Sequence, residues 1–399
     1  MRNAGSPTSE NGSPLEARLT AVLREVGGVK QRHSRHYQLD RDIVSARRNI
    51  MPDSTTITAH SVQDFGFGYK SKRIGRSLLL QTDCFECLKR VPENTLHAIV
   101  TDPPYGVKEY DADQLQKRQE GRGGVWRIPP SFDGHRRSPL PRFTALDEKE
   151  RRRIKEFFVE WAKLAVAALR PGAHVFIATN SFMSQVVYGA LVEAEFEFRG
   201  EIIRLVQTLR GGDRPKNAEK EFPGVCSMPR GCFEPWGLFR KAMPARMTVG
   251  ECLRQFETGG LRRLSDGNPF KDVIPSEKTS QHERKMANHP SLKPQSFLRH
   301  VVYAALPMGR GVLVDPFMGS GSTIAAAEFL GFGAIGLERD EQFFALAEKA
   351  VPKLVALNLD ARHEREDIRE GQLKLLDLAE AALNVDKTSL PPSFHTRFA

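Results

Sequence analysis

An α/β fold built on a parallel sheet is predicted by three observations. Short apolar runs end repeatedly on an acid: Leu78-Leu79-Leu80 before Asp83, Ala98-Ile99-Val100 before Asp102, and Val312-Leu313-Val314 before Asp315. Helical patterns separate these runs, which is the strand–helix–strand unit of a parallel sheet. The stretch from Gly311 to Glu338 reads as strand, tight glycine loop, helix and second strand. Open sheets of this kind carry their chemistry at the carboxyl ends of the strands.

The 399 residues suit one large catalytic domain with additions. A formal charge of +10 points to a polyanionic partner, with nucleic acid as the leading candidate and solubility alone as the plain alternative. The five cysteines are sparse and odd in number, which argues for a reducing compartment over a disulfide scaffold. Cys84 and Cys87 with Cys226 and Cys232 lack the tight paired spacings of structural zinc, so no metal is expected. No apolar run approaches the roughly 20 residues that span a bilayer, and no charged-then-apolar leader is present. A soluble, cytoplasmic protein without membrane partners is the expectation.

In chain order, residues 1–76 read as an extension. Its first dozen residues are rich in Ser, Gly and Asn, a helical stripe covers Leu15 to Val26, and a basic stretch follows. The core begins near Ser77. A strand at Leu78–Leu80, a helix from about Cys84 to Arg90 and the strand before Asp102 form the first unit, and residues 77–245 make one half of the domain. Thr101-Asp102-Pro103-Pro104-Tyr105-Gly106 closes that strand. Asp102, when ionised, only accepts hydrogen bonds. Pro103 has a locked φ, which fixes its carbonyl as an acceptor. Tyr105 offers a flat face for stacking. Together these groups suit a planar substrate bearing an NH2, such as the exocyclic amine of a base.

The long segment after Tyr105 has no clear periodicity, which marks it as functional or disordered. It interleaves Trp126, Arg127, Arg136, Arg137 and Arg142 with further aromatics, a pattern that suits a nucleic-acid surface, with a lid packed on the core as the alternative. Ile154, Phe157, Phe158, Trp161, Leu164 and Ala168 then form a helical core stripe closed by Pro171-Gly172. Strands follow at Val175–Ile177 and Glu201–Leu205, and then a basic loop with Arg210, Arg214 and Lys216. Residues 246–287, with Arg262 and Arg263, read as a small recognition segment, and 288–358 as the second half of the domain. Residues 359–399 form a tail that caps the sheet or pairs subunits.

In the loop Pro316-Phe317-Met318-Gly319-Ser320-Gly321-Ser322-Thr323, the glycines allow a sharp turn and close approach to a ligand. Glu338, roughly twenty residues beyond Asp315, sits where a carboxylate grips ribose hydroxyls. Ile324 occupies the third glycine position of a dinucleotide fingerprint, and no P-loop lysine is present. An acid at the strand end is awkward beside pyrophosphate and suits a cationic, phosphate-free nucleoside. S-adenosylmethionine meets that description.

With both motifs in view, the chain resembles the S-adenosylmethionine-dependent DNA amino-methyltransferases. Because Asp102-Pro103-Pro104-Tyr105 precedes the cofactor loop, it resembles their circularly permuted β group. Asn288-His289-Pro290-Ser291-Leu292-Lys293-Pro294 is similar to the family's His-Pro-x-x-Lys-Pro element. The resemblance covers about 77 to 355. It implies a doubly wound, mostly parallel, seven-stranded Rossmann-like sheet of the class I methyltransferase type, with an inserted DNA-recognition segment. It implies methyl transfer to N6 of adenine or N4 of cytosine in double-stranded DNA, after the base flips out. Asp102, Pro103, Pro104 and Tyr105 match catalytic positions. Asp315, Pro316, Phe317, Gly319, Ser320, Gly321, Glu338 and Lys293 match cofactor positions, and Asp83 the place that meets the cofactor's adenine. Cytosine members more often carry Ser in place of Asp102, which favours adenine. A homodimer and a cognate restriction enzyme are the further partners the family brings into view. A non-enzymatic relic would show damage in one motif, and both are intact; an NAD enzyme is disfavoured by Ile324 and Asp315.

Overall fold

The structure is a computed structural model that describes residues 65–104, 148–206, 218, 220–226, 231–264, 267–289 and 292–359. Up to Ala356 these belong to one compact unit, Asp42–Ala356; the other unit, Met1–Arg41 with Leu357–Ala399, lies outside them except for residues 357–359.

The described strands are β1 (Lys70–Ile74), β2 (Ser77–Gln81), β3 (Leu96–Thr101), β4 (Leu169–Ala178), β5 (Phe196–Leu205), β6 (Phe233–Lys241), β7 (Val273–Pro275), β8 (Val312–Asp315) and β9 (Gly333–Glu338). They form one sheet of nine strands in the order β1-β2-β9-β8-β3-β4-β6-β5-β7. Edge strand β1 is antiparallel to β2, and β6 is antiparallel to both its neighbours, β4 and β5. The remaining pairs are parallel. The seven strands from β2 to β5 in that order are the sheet expected from the sequence. The two outermost strands are additions, and the sheet begins at Lys70 instead of Ser77.

The described helices are α1 (Cys84–Leu88), α2 (Glu148–Ala168), α3 (Ser184–Glu193), α4 (Val249–Phe256), α5 (Gln281–Met286), α6 (Gln295–Ala305), α7 (Ser322–Phe329) and α8 (Glu341–Val355). Every residue of β3 is buried, as a parallel strand covered on both faces requires. Ala98 and Val100 face a core shared with α6, α7 and α8. Ile99 faces a second core shared with α1, α2 and α3. Helices on both faces make the fold doubly wound. Trp161 and Phe158 on α2 and Trp236 on β6 are fully buried, each contributing on the order of 1.5–3 kcal/mol.

The two ends of the sheet differ in use. At the carboxyl ends of the parallel strands, β3 and β8 lie side by side, with Ile99 opposite Val314. At the other end His97, at the start of β3, accepts a hydrogen bond from the Val312 N–H at 3.0 Å and meets Glu257 at 3.5 Å. The segment 249–264 packs at this second end, where the Gly259 N–H bonds to the Gly172 carbonyl at 2.9 Å and Cys252 is buried. The first part of the stretch read as a recognition segment therefore packs at the end of the sheet away from Asp102. Its second half, with β7 and α5, returns to the carboxyl end by pairing with β5, where Leu205 is opposite Pro275.

Candidate active site

The apolar run of β8 delivers Asp315 to the middle of the sheet, 2% exposed. Its Oδ1 accepts from the Thr101 hydroxyl at 2.7 Å and from the Phe317 N–H at 3.2 Å, and the Thr323 hydroxyl also donates to the carboxylate. Burial pushes the Asp315 carboxyl up to about 6; the three donors oppose that rise and the neighbouring Asp102 adds to it. The Thr101 bond joins the two sequence motifs directly, because Thr101 immediately precedes Asp102.

The glycine loop follows. Gly319 and Gly321 have φ of +51° and +79°, the left-handed region that favours glycine. A Cβ on Gly321 would lie 2.4 Å from Val351 Cγ2, and one on Gly319 would lie 3.0 Å from the His289 ring. The Gly319 N–H donates to Glu338 Oε2 at 3.0 Å, and Glu338 Oε1 accepts from the Asp340 N–H at 2.8 Å. Burial raises the Glu338 carboxyl above its ordinary value. Ser320 Oγ is buried with no hydrogen-bond partner. Asp83, beyond the end of β2, caps α1 by accepting from the Phe85 N–H at 2.8 Å. Its strand neighbours β9, and the Thr82 N–H bonds to the Glu338 carbonyl at 3.0 Å, so the two acids belong to adjacent strand ends. The Phe317 ring rests on Trp161 and Phe157, with centroids 5.9 Å and 6.1 Å away.

Three acids at neighbouring strand ends, a loop N–H already taken by a carboxylate and a loop without lysine do not fit a pyrophosphate. They fit a cationic nucleoside, and the unpartnered Ser320 hydroxyl leaves a polar group for such a ligand.

Beside this loop, Asp102 Oδ2 accepts from Lys293 Nζ at 2.5 Å, and both side chains are largely buried. Lys293 Nζ also lies 3.6 Å from Glu234 Oε1, and Trp236 Nε1 donates to that oxygen at 2.9 Å. Burial alone would lower the Lys293 ammonium, but the Asp102 and Glu234 carboxylates outweigh it and hold it above lysine's ordinary value. His289 packs edge-on against Phe343 at 4.6 Å and stands between Gly319 and the Asp102–Lys293 pair. Burial holds its imidazole below the usual value. Pro103 is buried and Pro104 exposed.

A family model for DNA methylases, the N6/N4 amino-methyltransferases, matches residues 96–349, which include both motifs. The chain belongs to this family. Its methyl donor is S-adenosylmethionine. Among relatives, the type II methyltransferase M2.DpnII of Streptococcus pneumoniae is 22% identical over 274 residues, covering 69% of this chain and 89% of that protein. M.HinfI of Haemophilus influenzae is 31% identical over 286 residues, 69% of this chain and 68% of that protein. Among solved structures, the M1.HpyAVI–SAM complex has a TM-score of 0.41 at 16% identity, covering 68% of this chain and 97% of that one. The PvuII cytosine-N4-specific DNA methyltransferase has a TM-score of 0.42 at 14% identity, with 70% and 90% covered.

The methylase brings together most of the residues singled out in its sequence. Asp102 and Pro103 share a strand-end region with Asp315 to Gly321, Glu338 and Asp83. Lys293, expected at the cofactor, is the counterion of Asp102. Arg262, expected on DNA, is placed elsewhere: its N–H bonds to the Ala304 carbonyl at 3.0 Å and its guanidinium stacks on Tyr303 at 4.5 Å. That is the carboxyl end of α6, which starts beside the site at Pro294 and runs to the opposite end of the sheet. Arg263 bonds to the Gly267 carbonyl at 2.9 Å. Tyr105, Trp126, Arg127, Arg136, Arg137, Arg142, Arg210, Arg214 and Lys216 lie outside the described residues.

Sequence reasoning missed a basic cluster in the first turns of α2. Phe157 packs on Phe85 at 5.1 Å and on Phe317 at 6.1 Å, residues that follow the carboxyl ends of β2 and β8. The helix therefore passes the level of the site at Phe157, and Arg151 lies about 9 Å further out at 1.5 Å per residue. Lys149, Arg151, Arg152, Arg153 and Lys155 are all exposed there. Arg152 pairs with Glu148 at 3.4 Å and Lys155 with Glu193 at 2.7 Å, while positive charge at Arg151 and Arg153 opposes the dipole at a helix start. The run Arg151-Arg152-Arg153 was the signal available in the sequence.

Proposed function

We propose that the protein methylates the exocyclic N6 amine of adenine in duplex DNA, and that its chain order is the circularly permuted one. The observation that carries this reading is the 2.7 Å bond from Thr101 to Asp315, which sets Asp102 next to the cofactor strand. S-adenosylmethionine, when bound, supplies an electrophilic methyl group on a sulfonium. Asp315 and Glu338 are the carboxylates of this chain that would meet its cationic and ribose portions. The base amine is a poor nucleophile because its lone pair is delocalised into the ring. Asp102 and the Pro103 carbonyl accept its two N–H bonds, which favours a pyramidal nitrogen and places negative charge where a cation develops. The Asp102 carboxylate then takes the proton the alkylated nitrogen sheds. Flipping the base from the stack costs a few kcal/mol, and stacking on Tyr105, about 1–3 kcal/mol, offsets much of it.

Aspartate at position 102, where serine is commoner in cytosine enzymes, supports adenine. The type II relatives support a place beside a restriction enzyme. The test is to incubate the protein with S-adenosylmethionine and duplex DNA, digest the DNA to nucleosides and separate them. N6-methyladenine is expected, and its loss in Asp102→Ala. N4-methylcytosine would replace the adenine reading, and preferential methylation of RNA in competition would replace DNA.

A further inference from the structure

A line of alternating charges runs from the catalytic strand end away from the cofactor loop. Asp102, Lys293, Glu234 and Arg204 come from four different segments: the end of β3, the turn before α6, the start of β6 and the end of β5. Their side chains are only 13%, 12%, 19% and 6% exposed. Arg204 is tied on every side. Its Nε donates to Ser276 Oγ at 3.0 Å, its Nη2 to the Glu277 carbonyl at 2.7 Å and its Nη1 to Glu234 Oε2 at 3.2 Å. Glu234 is thus fixed through one oxygen by Arg204 and through the other by the Trp236 indole at 2.9 Å. The fold does not need such a line for stability, since well-packed apolar residues serve a buried position as well or better. What the line supplies is placement. Lysine is a point charge on a flexible stem, and an anchored anion on its far side limits where the ammonium can sit.

We infer that Glu234, anchored by Arg204, is a positioning residue that holds Lys293 at a set distance from Asp102 and so aims the carboxylate that receives the base amine. This inference rests on the methyl-transfer reading above. With the Glu234 charge removed, Lys293 has Asp102 as its sole anionic neighbour in the line. The ammonium, already 2.5 Å from that carboxylate, then lacks its second anchor and swings about it, taking the carboxylate out of aim.

The experiment is a double-mutant cycle on Glu234→Gln and Lys293→Met in the full chain, read as kcat for DNA methylation alongside calorimetric affinity for S-adenosylmethionine. Each single variant is expected to lower kcat about 10–100-fold, the scale of an ångström-sized misplacement. Cofactor affinity stays within about twofold. Glu234 acts through Lys293, so adding Glu234→Gln to Lys293→Met lowers kcat no further. Multiplicative losses in the double variant, or a normal kcat in Glu234→Gln, would overturn the inference. Should Glu234→Gln not fold, Glu234→Asp takes its place in the cycle: it keeps the charge but withdraws it from Lys293, and the same non-additivity is required. Failure of the underlying reading looks different, because the unmutated protein would then methylate no base.

Discussion

Asp315→Asn should stabilise the cofactor-free protein while weakening its hold on the cofactor. Folding raises the Asp315 carboxyl from 3.8 to about 6, mainly because burial disfavours its charge. Between those values the folded chain keeps a proton that the unfolded chain has released. Stability therefore falls as pH rises through that window, and the penalty is complete above about 6. At about 1.4 kcal/mol per pH unit the full penalty is roughly 3 kcal/mol. Asparagine removes the charge but offers one acceptor oxygen to the three donors from Thr101, Phe317 and Thr323, which returns about 1 kcal/mol. The net gain at pH 8 is then about 1–2 kcal/mol. Urea unfolding of both proteins without cofactor, at intervals from pH 4 to pH 8, gives the difference directly. The gap should open between about pH 4 and 6 and stay constant above. S-adenosylmethionine affinity should drop about 10–100-fold with the loss of a charged acceptor. Parallel pH profiles, or a variant less stable than its parent at pH 8, would refute the claim that burial of this carboxylate works against the fold.

Three further outcomes can be checked. Gly321→Ala should cost about 2–5 kcal/mol, from left-handed strain and the 2.4 Å approach to Val351; adding Val351→Ala should recover about 1–3 kcal/mol of it in urea unfolding, whereas simple additivity would deny the clash. Burial, with Arg170 nearby, lowers the His97 imidazole from 6.5 to about 4, so this part of stability is whole above about 6.5 and lost as pH falls to 4; the acid-side loss of roughly 3 kcal/mol should be missing in His97→Gln. Arg151→Ala with Arg153→Ala should flatten the plot of log DNA affinity against log salt by about 2 if both touch phosphates, with S-adenosylmethionine affinity unaltered; an unchanged slope would leave the cluster as a solvated face.

The strands that carry chemistry were legible because they are buried on both faces and so read as unbroken apolar runs that end on acids. The glycine loop was legible for a local reason, since Gly319 and Gly321 need a backbone conformation the residue type itself announces. β6 was not legible. Phe233-Glu234-Pro235-Trp236-Gly237 has the look of a turn, yet it belongs to an interior strand paired on both sides, and Gly237 is there because a Cβ would lie 2.6 Å from Phe239 and Tyr188. Lys293 was read by motif order as a cofactor residue. Its hydrogen bond to Asp102 spans 191 positions in sequence, and no local pattern encodes such a pairing. Arg262 illustrates the converse. Arginine in a basic stretch suggested DNA, whereas its position at the end of α6 gives the guanidinium a Tyr303 face to cover.

The two central acids are treated in opposite ways by the chain, and the difference follows from what each must do. Asp315 is surrounded by uncharged donors, two hydroxyls and a backbone N–H, which favour its negative charge against the burial that raises its pKa. Asp102 ends the adjacent strand and also bears on Asp315, and two unscreened carboxylates so close would each resist ionisation. Lys293 removes that conflict. It neutralises Asp102 from the side facing Glu234 and leaves Asp315 as the dominant unpaired charge of the pair. A sulfonium entering the site would then be drawn to the cofactor strand, while Asp102, screened by its lysine, remains available to a neutral amine. The buried line to Arg204 keeps this division of charge fixed in place.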